Sequence, residues 1–285
     1  MQKIWVCGAR GQIGQAINDV VDKLEFEMLD TDVDDLDVTD TDEVLRFGEM
    51  NRPDIIINCS GMTDINACEE NPSQAFKVNA LGARNLAIVA AKMQAKMVQL
   101  STDDVFDGKS TEPYTEFDVT NPGTVYGKSK LAGENYVKEF TTKHFIVRST
   151  WVYGKGQNFI SDFLKKVDAG EQLSIASDQF GSPTSANELA RFLLHLVHTS
   201  EYGTYHATNK GVCSRYAFAQ EILKMTGKTA SMQPVPTVMS DFSKVRPAYA
   251  VLDNFIMSMV PIYDFPDWQD SLREYLEERG LYHAE

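Results

Sequence analysis

The sequence predicts an α/β fold: a doubly wound parallel sheet with a smaller, interleaved C-terminal lobe. Three observations predict it. Apolar, β-branched runs alternate with amphipathic helical patterns through the first 150 residues, a glycine-rich turn joins the first run to the first helix, and the regular alternation stops after residue 150. Runs without polar alternation indicate strands covered on both faces, as in parallel sheets. Repeated strand–helix units imply right-handed crossovers and a doubly wound arrangement.

In chain order, "KIWVCG" (3–8) is a buried strand and "QAINDVVDKL" (15–24) an amphipathic helix. "EFEMLD" (25–30) is the second strand, followed by a helix near 41–50 and the strand "DIIINCSG" (54–61). One long helix is expected over about 73–92, then the strand "KMVQLSTD" (96–103). A helix carrying Tyr126 and Lys130 precedes the strand "HFIVRST" (144–150). Beyond it, helices are expected near 158–168, 185–198 and 214–226, with short strands between them and a proline-bearing, loop-like stretch over 229–250. The reading is a dinucleotide-binding domain over 1–150, to which 178–200 returns, and a substrate-binding lobe of 151–177 and 201–285.

The 285 residues are 43% hydrophobic, enough for one large domain or two coupled lobes. Lys and Arg number 27 against 41 Asp and Glu, a net charge of −14, which opposes attraction to nucleic acid or an anionic membrane surface. Cys7, Cys59, Cys68 and Cys213 form no C-x-x-C pair and have no zinc-ligand spacing, as expected of a reduced, cytoplasmic protein. The N-terminal apolar run is too short for a signal peptide, and no stretch approaches a membrane span, so a soluble protein is expected.

The turn "GARGQIG" places Gly8, Gly11 and Gly14 between a strand and a helix. Glycines there permit a tight turn and the close approach of a pyrophosphate, while the helix N-terminus favours negative charge. This is the context of a Rossmann-type dinucleotide site. Asp30, sixteen residues after Gly14, is placed to accept an adenosine ribose hydroxyl. It would repel a 2′-phosphate and favour NADH, whereas Arg10 inside the loop could admit NADPH, so either cofactor is expected.

"VYGKSK" sets Tyr126 and Lys130 four residues apart, neighbours along a helix face. Reducing a ketone requires hydride at carbon and a proton at oxygen. A phenol of ordinary pKa near ~10 is a competent acid, and a nearby ammonium lowers that value. Lys130 would do this and hold the nicotinamide ribose, and Thr102, at a strand's carboxyl end, would orient the carbonyl. The G-x-x-G-x-x-G spacing, Thr102 and Tyr126-x-x-x-Lys130 together resemble the short-chain dehydrogenase/reductase superfamily.

The blocks "LDVTD", "RPDIIINC", "STDDVFDG", "YGKSKLAGE", "VRSTWVYG", "DQFGSPT", "GTYHATN" and "WQDSLREYL" narrow the resemblance to the dTDP-4-dehydrorhamnose reductase family. That resemblance implies NAD(P)H-dependent reduction of the 4-keto group of a nucleotide-linked 6-deoxy sugar, with Thr102, Tyr126 and Lys130 catalytic. It implies cofactor contacts from Gln12, Ile13, Asp37, Val38, Cys59, Ser60, Gly61 and Thr63 besides the loop residues. Substrate contacts would come from Asp103, Val105, Trp151, Asn158, Gln179, Thr184 and Arg246. The chain departs from the family pattern at Met62, Asp104, Arg215 and Tyr249, which bears on the sugar and nucleotide more than on the reaction. Some family members hold magnesium between subunits through an acid just after the glycine loop. Here "GQIGQAI" has none, so no metal site is expected, and a monomer or weak homodimer is. Two alternatives share the fold: a regulatory subunit resembling methionine adenosyltransferase β, and a sugar-nucleotide epimerase that retains its NAD.

Overall fold

A computed structural model describes residues 1–240 and 246–283. The first strands are β1 (Gln2–Cys7), β2 (Phe26–Thr31), β3 (Ile55–Asn58), β4 (Lys96–Thr102) and β5 (His144–Ser149). With the strand Gly203–His206 they form one six-stranded parallel sheet, in the order Gly203–His206, β5, β4, β3, β1, β2. Strand order reverses at β1: β2 lies to one side and β3 to the other. Ligands bind outside the carboxyl ends of strands at such a switch point.

Successive residues of a strand point to opposite faces, and both faces here are apolar. Ile4, Val6, Ile55, Ile57, Val98 and Phe145 pack on one face against α1 (Gln12–Val20) and a helix from much later in the chain, Ala186–Leu196. Trp5, Cys7, Ile56, Met97 and Ile146 pack on the other, under α2 (Thr41–Asn51) and two further helices that cover the same layer. That double burial is why these strands read as unbroken apolar runs.

The long helix expected over 73–92 is present, running without a gap from Pro72 to Met93, but it is not α-helical throughout. Asn71 caps a new start with Pro72 at its first turn, separating α3 (Ile65–Glu70) from α4 (Pro72–Phe76). A π-helical stretch, Lys77–Gly82, then leads into α5 (Ala83–Met93). The stretch carries the buried Asn79, whose amide accepts from Met62 N at 2.8 Å, donates to Met62 O at 2.9 Å and to Ser129 Oγ at 2.9 Å. A π segment at such a point is commonly functional, and here it ties the loop after β3 to α6 (Val125–Phe140).

Beyond β5, α7 (Phe159–Asp168) is followed by α8 (Ala186–Leu196) and α9 (Arg215–Thr226). Trp151, Tyr153, Ile160, Phe163, Ile175, Phe218, Trp268 and Leu272 form a second core away from the sheet. The strand Gly203–His206, expected among the lobe residues 201–285, instead pairs with β5 in the central sheet. Residues 178–185 stay with the second core, since Phe180–Gly181 pairs with Cys213–Ser214 and Tyr249–Ala250. Among the described residues, no helix is long and apolar enough to cross a membrane.

Candidate active site

A cleft of about 670 Å³ opens at the carboxyl ends of β1, β3, β4 and β5. On one side lie Gly11, Gln12 and Ile13 at the start of α1, with Cys59, Ser60, Gly61 and Thr63 after β3. Gly11 caps α1, whose first turn has neither a side-chain cap nor an acidic residue. The first N–H groups of such a helix lack intrahelical partners and suit an anion. Gly8 adopts φ +77°, and a Cβ there would lie 2.8 Å from Ser60 N, so only glycine lets the loop pass. These residues fit a dinucleotide's pyrophosphate. Gly8, Arg10 and Gly14 shape this loop without lining the cleft.

Thr102, Tyr126 and Lys130 meet on the cleft floor from β4 and α6. The helix starts where Thr124 accepts from Gly127 N at 2.9 Å, which sets Tyr126 and Lys130 on the inward face. Thr102 Oγ1 donates to Asp103 Oδ1 at 2.9 Å and accepts from Asp104 N at 3.2 Å. Burial and then the charge of Asp104 push the Tyr126 phenol up, with Arg246 and Thr102 opposing. Tyr126 therefore keeps its proton at neutral pH.

Lys130 lies one helical turn from Tyr126 and lines the same cleft. Its own pKa is lowered to about 8 by burial, with Glu134 and Cys59 opposing, and its Nζ lies 3.7 Å from where a Gly61 Cβ would be. The ammonium thus faces the loop after β3, on the dinucleotide side of the cleft.

Two arginines enter from the second lobe. Arg215 stacks on Trp151, its guanidinium carbon 3.4 Å from the ring centroid, with Phe159 at 4.7 Å. Burial and the neighbouring Arg246 lower Arg215 to about 9. Trp151 itself has φ +46°, an outlier for a bulky residue, and such strain concentrates at functional sites. A Cβ on Gly181 would lie 2.6 Å from the indole, which explains the glycine of "FGSP". Arg246 Nη1 lies 3.5 Å from Asp104 Oδ2. Asp104 is wholly buried, with no hydrogen bond to either oxygen among the described residues; burial and then Asp103 raise it to about 7, against Arg246.

Asp103, Trp151, Asn158 and Arg246 line the cleft as expected of substrate contacts. Others do not. Val105 is core, packed with Phe106, Tyr114 and Leu252. Thr184 is buried and donates to Ser182 O at 3.0 Å. Gln179 is buried outside the lining, its backbone carbonyl accepting from Arg215 N at 3.0 Å. Val38 packs under Gly82 while Asp37 is exposed, and neither reaches the cleft. Asp30 is exposed near the end of β2, outside the cleft lining, with Asn18 of α1 as a hydrogen-bonding neighbour. The carboxylate at the glycine loop is Asp32, which accepts from Arg10 N at 2.9 Å. Sequence reasoning also missed Ser101, Ser149 and Gln157 among the cleft residues, and nothing in their local sequence marks them.

Comparison with known proteins agrees with this geometry. The family model for the RmlD substrate binding domain matches residues 1–280. The spore coat polysaccharide biosynthesis protein SpsK of Bacillus subtilis is 35% identical over 281 residues, 98% of this chain and 99% of that protein. A dTDP-4-dehydrorhamnose reductase structure from Clostridium acetobutylicum superposes with a TM-score of 0.95 at 40% identity, covering 98% of this chain and all of the other. The Bacillus anthracis dTDP-4-dehydrorhamnose reductase, solved in complex with NADP, gives 0.93 at 35% identity over 98% and 99% of the two chains. A match along essentially its whole length, at this identity, places the chain in the dTDP-4-dehydrorhamnose reductase family.

Proposed function

We propose that the protein reduces the 4-keto group of a nucleotide-linked 6-deoxy sugar with NADH or NADPH. The substrate is of the dTDP-4-dehydro-L-rhamnose type, and the product, dTDP-L-rhamnose, is a precursor of cell-surface polysaccharide. The observation that carries this reading is the convergence of Thr102, Tyr126 and Lys130 beside the glycine-loop helix in one cleft. Relatives of similar length are named dTDP-4-dehydrorhamnose reductase and dTDP-4-keto-6-deoxy-D-glucose reductase.

The residues divide the work. When bound, the reduced nicotinamide supplies hydride to the sugar's C4. Tyr126 supplies the proton to the oxygen, for which a phenol held in its neutral form by burial is suited. Thr102 hydrogen-bonds that oxygen and aligns it with the phenol. Lys130, facing the loop after β3, holds the nicotinamide ribose. Arg215 and Arg246 bring two cations to the cleft of a chain whose net charge is −14, which suits the substrate's diphosphate. The sheet with α1, α2, α5, α6 and α8 carries the cofactor, and the second core carries the sugar nucleotide. The enzyme works in the cytoplasm as a monomer or weak homodimer.

The test is reduced-cofactor consumption with dTDP-4-keto-6-deoxy sugars. Stoichiometric loss of nicotinamide absorbance is expected. Binding without consumption would overturn the reading in favour of a regulatory subunit, and sugar interconversion without net consumption would favour an epimerase.

A further inference from the structure

The cleft holds two arginines whose charges are differently spent. Arg246 Nη1 stands 3.5 Å from Asp104 Oδ2, with Asp103 on the same turn, so two acids face one guanidinium. Little of its charge is left over for a ligand. Arg215 has no such partner: among the described residues, no acid pairs with its guanidinium and no side chain hydrogen-bonds it. Its place is nonetheless built. Ser214 accepts from Ala217 N at 3.0 Å to start α9, and Arg215 N donates to Gln179 O at 3.0 Å. The guanidinium lies between Trp151 and Phe159, and Gly181 leaves room for the indole. Arg215 is only 7% exposed and lines the cleft. Stacking on rings leaves the guanidinium's edge N–H groups free for a two-point contact with a phosphate. A buried, unpaired cation is costly in the free protein, and an anion arriving there offsets that cost.

Resting on the sugar-nucleotide reading of the cleft, we propose that, of its two arginines, Arg215 anchors the substrate's diphosphate, while Asp103 and Asp104 withhold Arg246 from that contact. Trp151 and Phe159 hold the Arg215 guanidinium flat, which sets the angle at which a phosphate is met. Arg215 and Asp104 are both positions where the chain departs from the family pattern, so this division of the two cations belongs to this protein.

Calorimetric titration of the whole chain with dTDP and with thymidine separates the phosphate contact from the rest of the nucleotide, without turnover. At about pH 8, Asp104, raised to about 7, is ionised and Arg215, lowered to about 9, is still charged. Arg215→Met, which keeps an apolar stem on the rings, should weaken dTDP about tenfold or more and leave thymidine unchanged. Arg215→Lys, which keeps the charge without the planar fork, should fall between, and it carries the test if Arg215→Met does not fold. Arg246→Gln removes a charge already opposed and should cost dTDP less than about threefold. Asp104→Asn, which releases Arg246, should tighten dTDP by about twofold or more. Unchanged dTDP affinity in the Arg215 variants, an equal loss of thymidine, a larger loss from Arg246→Gln, or weaker dTDP binding by Asp104→Asn would each overturn the proposal. Failure of the unaltered protein to bind dTDP would instead overturn the sugar-nucleotide reading, and this inference with it.

Discussion

Two buried charge clusters flank the end of β4, and they are built to opposite standards. In the first, Glu134 of α6 receives Arg148 Nε at 2.9 Å, Arg148 Nη2 at 2.7 Å and Ser101 Oγ at 2.6 Å. Although burial pushes the carboxyl up, these partners more than reverse it and hold Glu134 below its ordinary range. In the second, Asp103 and Asp104 face Arg246, and neither Asp104 oxygen has a hydrogen bond among the described residues. There burial wins and the carboxyls rise. The first cluster leaves only Arg148 Nη1 without a partner among the described residues, and a carboxylate so held fixes a scaffold, whereas an unsatisfied one keeps charge free to answer a substrate or a proton.

The comparison breaks most readily at its rigid side. Glu134→Ala leaves Arg148 buried and uncompensated, a loss of about 3–5 kcal/mol. Thermal unfolding should show a fall on the order of 10 °C. A drop of only a degree or two would mean that the first cluster is no more structural than the second.

Tyr126→Phe, beside the open cluster, should do the reverse. Turnover should fall by ~10²-fold or more, a typical scale for general acid catalysis, with the melting temperature and cofactor affinity retained. Steady-state kinetics giving near-normal turnover would remove Tyr126 from the mechanism.

Asp104→Asn sharpens the contrast through pH. The carboxyl's ordinary value is 3.8, and in the folded protein it is about 7. Below pH 4 both folded and unfolded forms hold the proton. Between 4 and 7 the unfolded chain releases it first, so ionisation progressively disfavours the fold. The melting temperature of Asp104→Asn relative to the unaltered protein should therefore rise from pH 4 to 7 and level off above. A constant difference across that range would show that Asp104 is ionised throughout.

The smallest expected effect is that of Lys130→Met. Hydrogen bonds to a charged group suggest about tenfold weaker cofactor binding. Because Lys130 is lowered to about 8, affinity in the unaltered protein should decline as pH rises through that value and be flat in the variant. Parallel pH profiles from calorimetry would place the lysine away from the cofactor.

What was legible in the sequence was local. The glycine loop and the Tyr126–Lys130 pair are set by spacing within one turn or one helix, and Gly11, Tyr126 and Lys130 line the cleft. Asp32 beside the glycine loop was not legible, because its place depends on where β2 ends against Gly8. Thr184 is spent on Ser182 O, a carbonyl two residues earlier in the turn before its strand. The Glu134–Arg148 pair spans α6 and β5, so no motif announces it. The break at Asn71–Pro72 was readable in principle, since an Asn cap followed by Pro marks a new helix start.

The chain's return to the sheet has a consequence for any attempt to sever the molecule. Leu189, Phe192 and Leu193 of α8 cover the same sheet face as Ile4, Val6 and Phe145, and the strand Gly203–His206 shields the β5 edge. A fragment ending near residue 150 would lack both, baring an apolar sheet face and an unpaired edge, the two surfaces that drive aggregation. A single nick in a loop of the second lobe cuts the backbone but leaves those contacts in place, so the pieces should migrate together until denatured. The halves are braided, and neither can be inherited, expressed or evolved as a free-standing part.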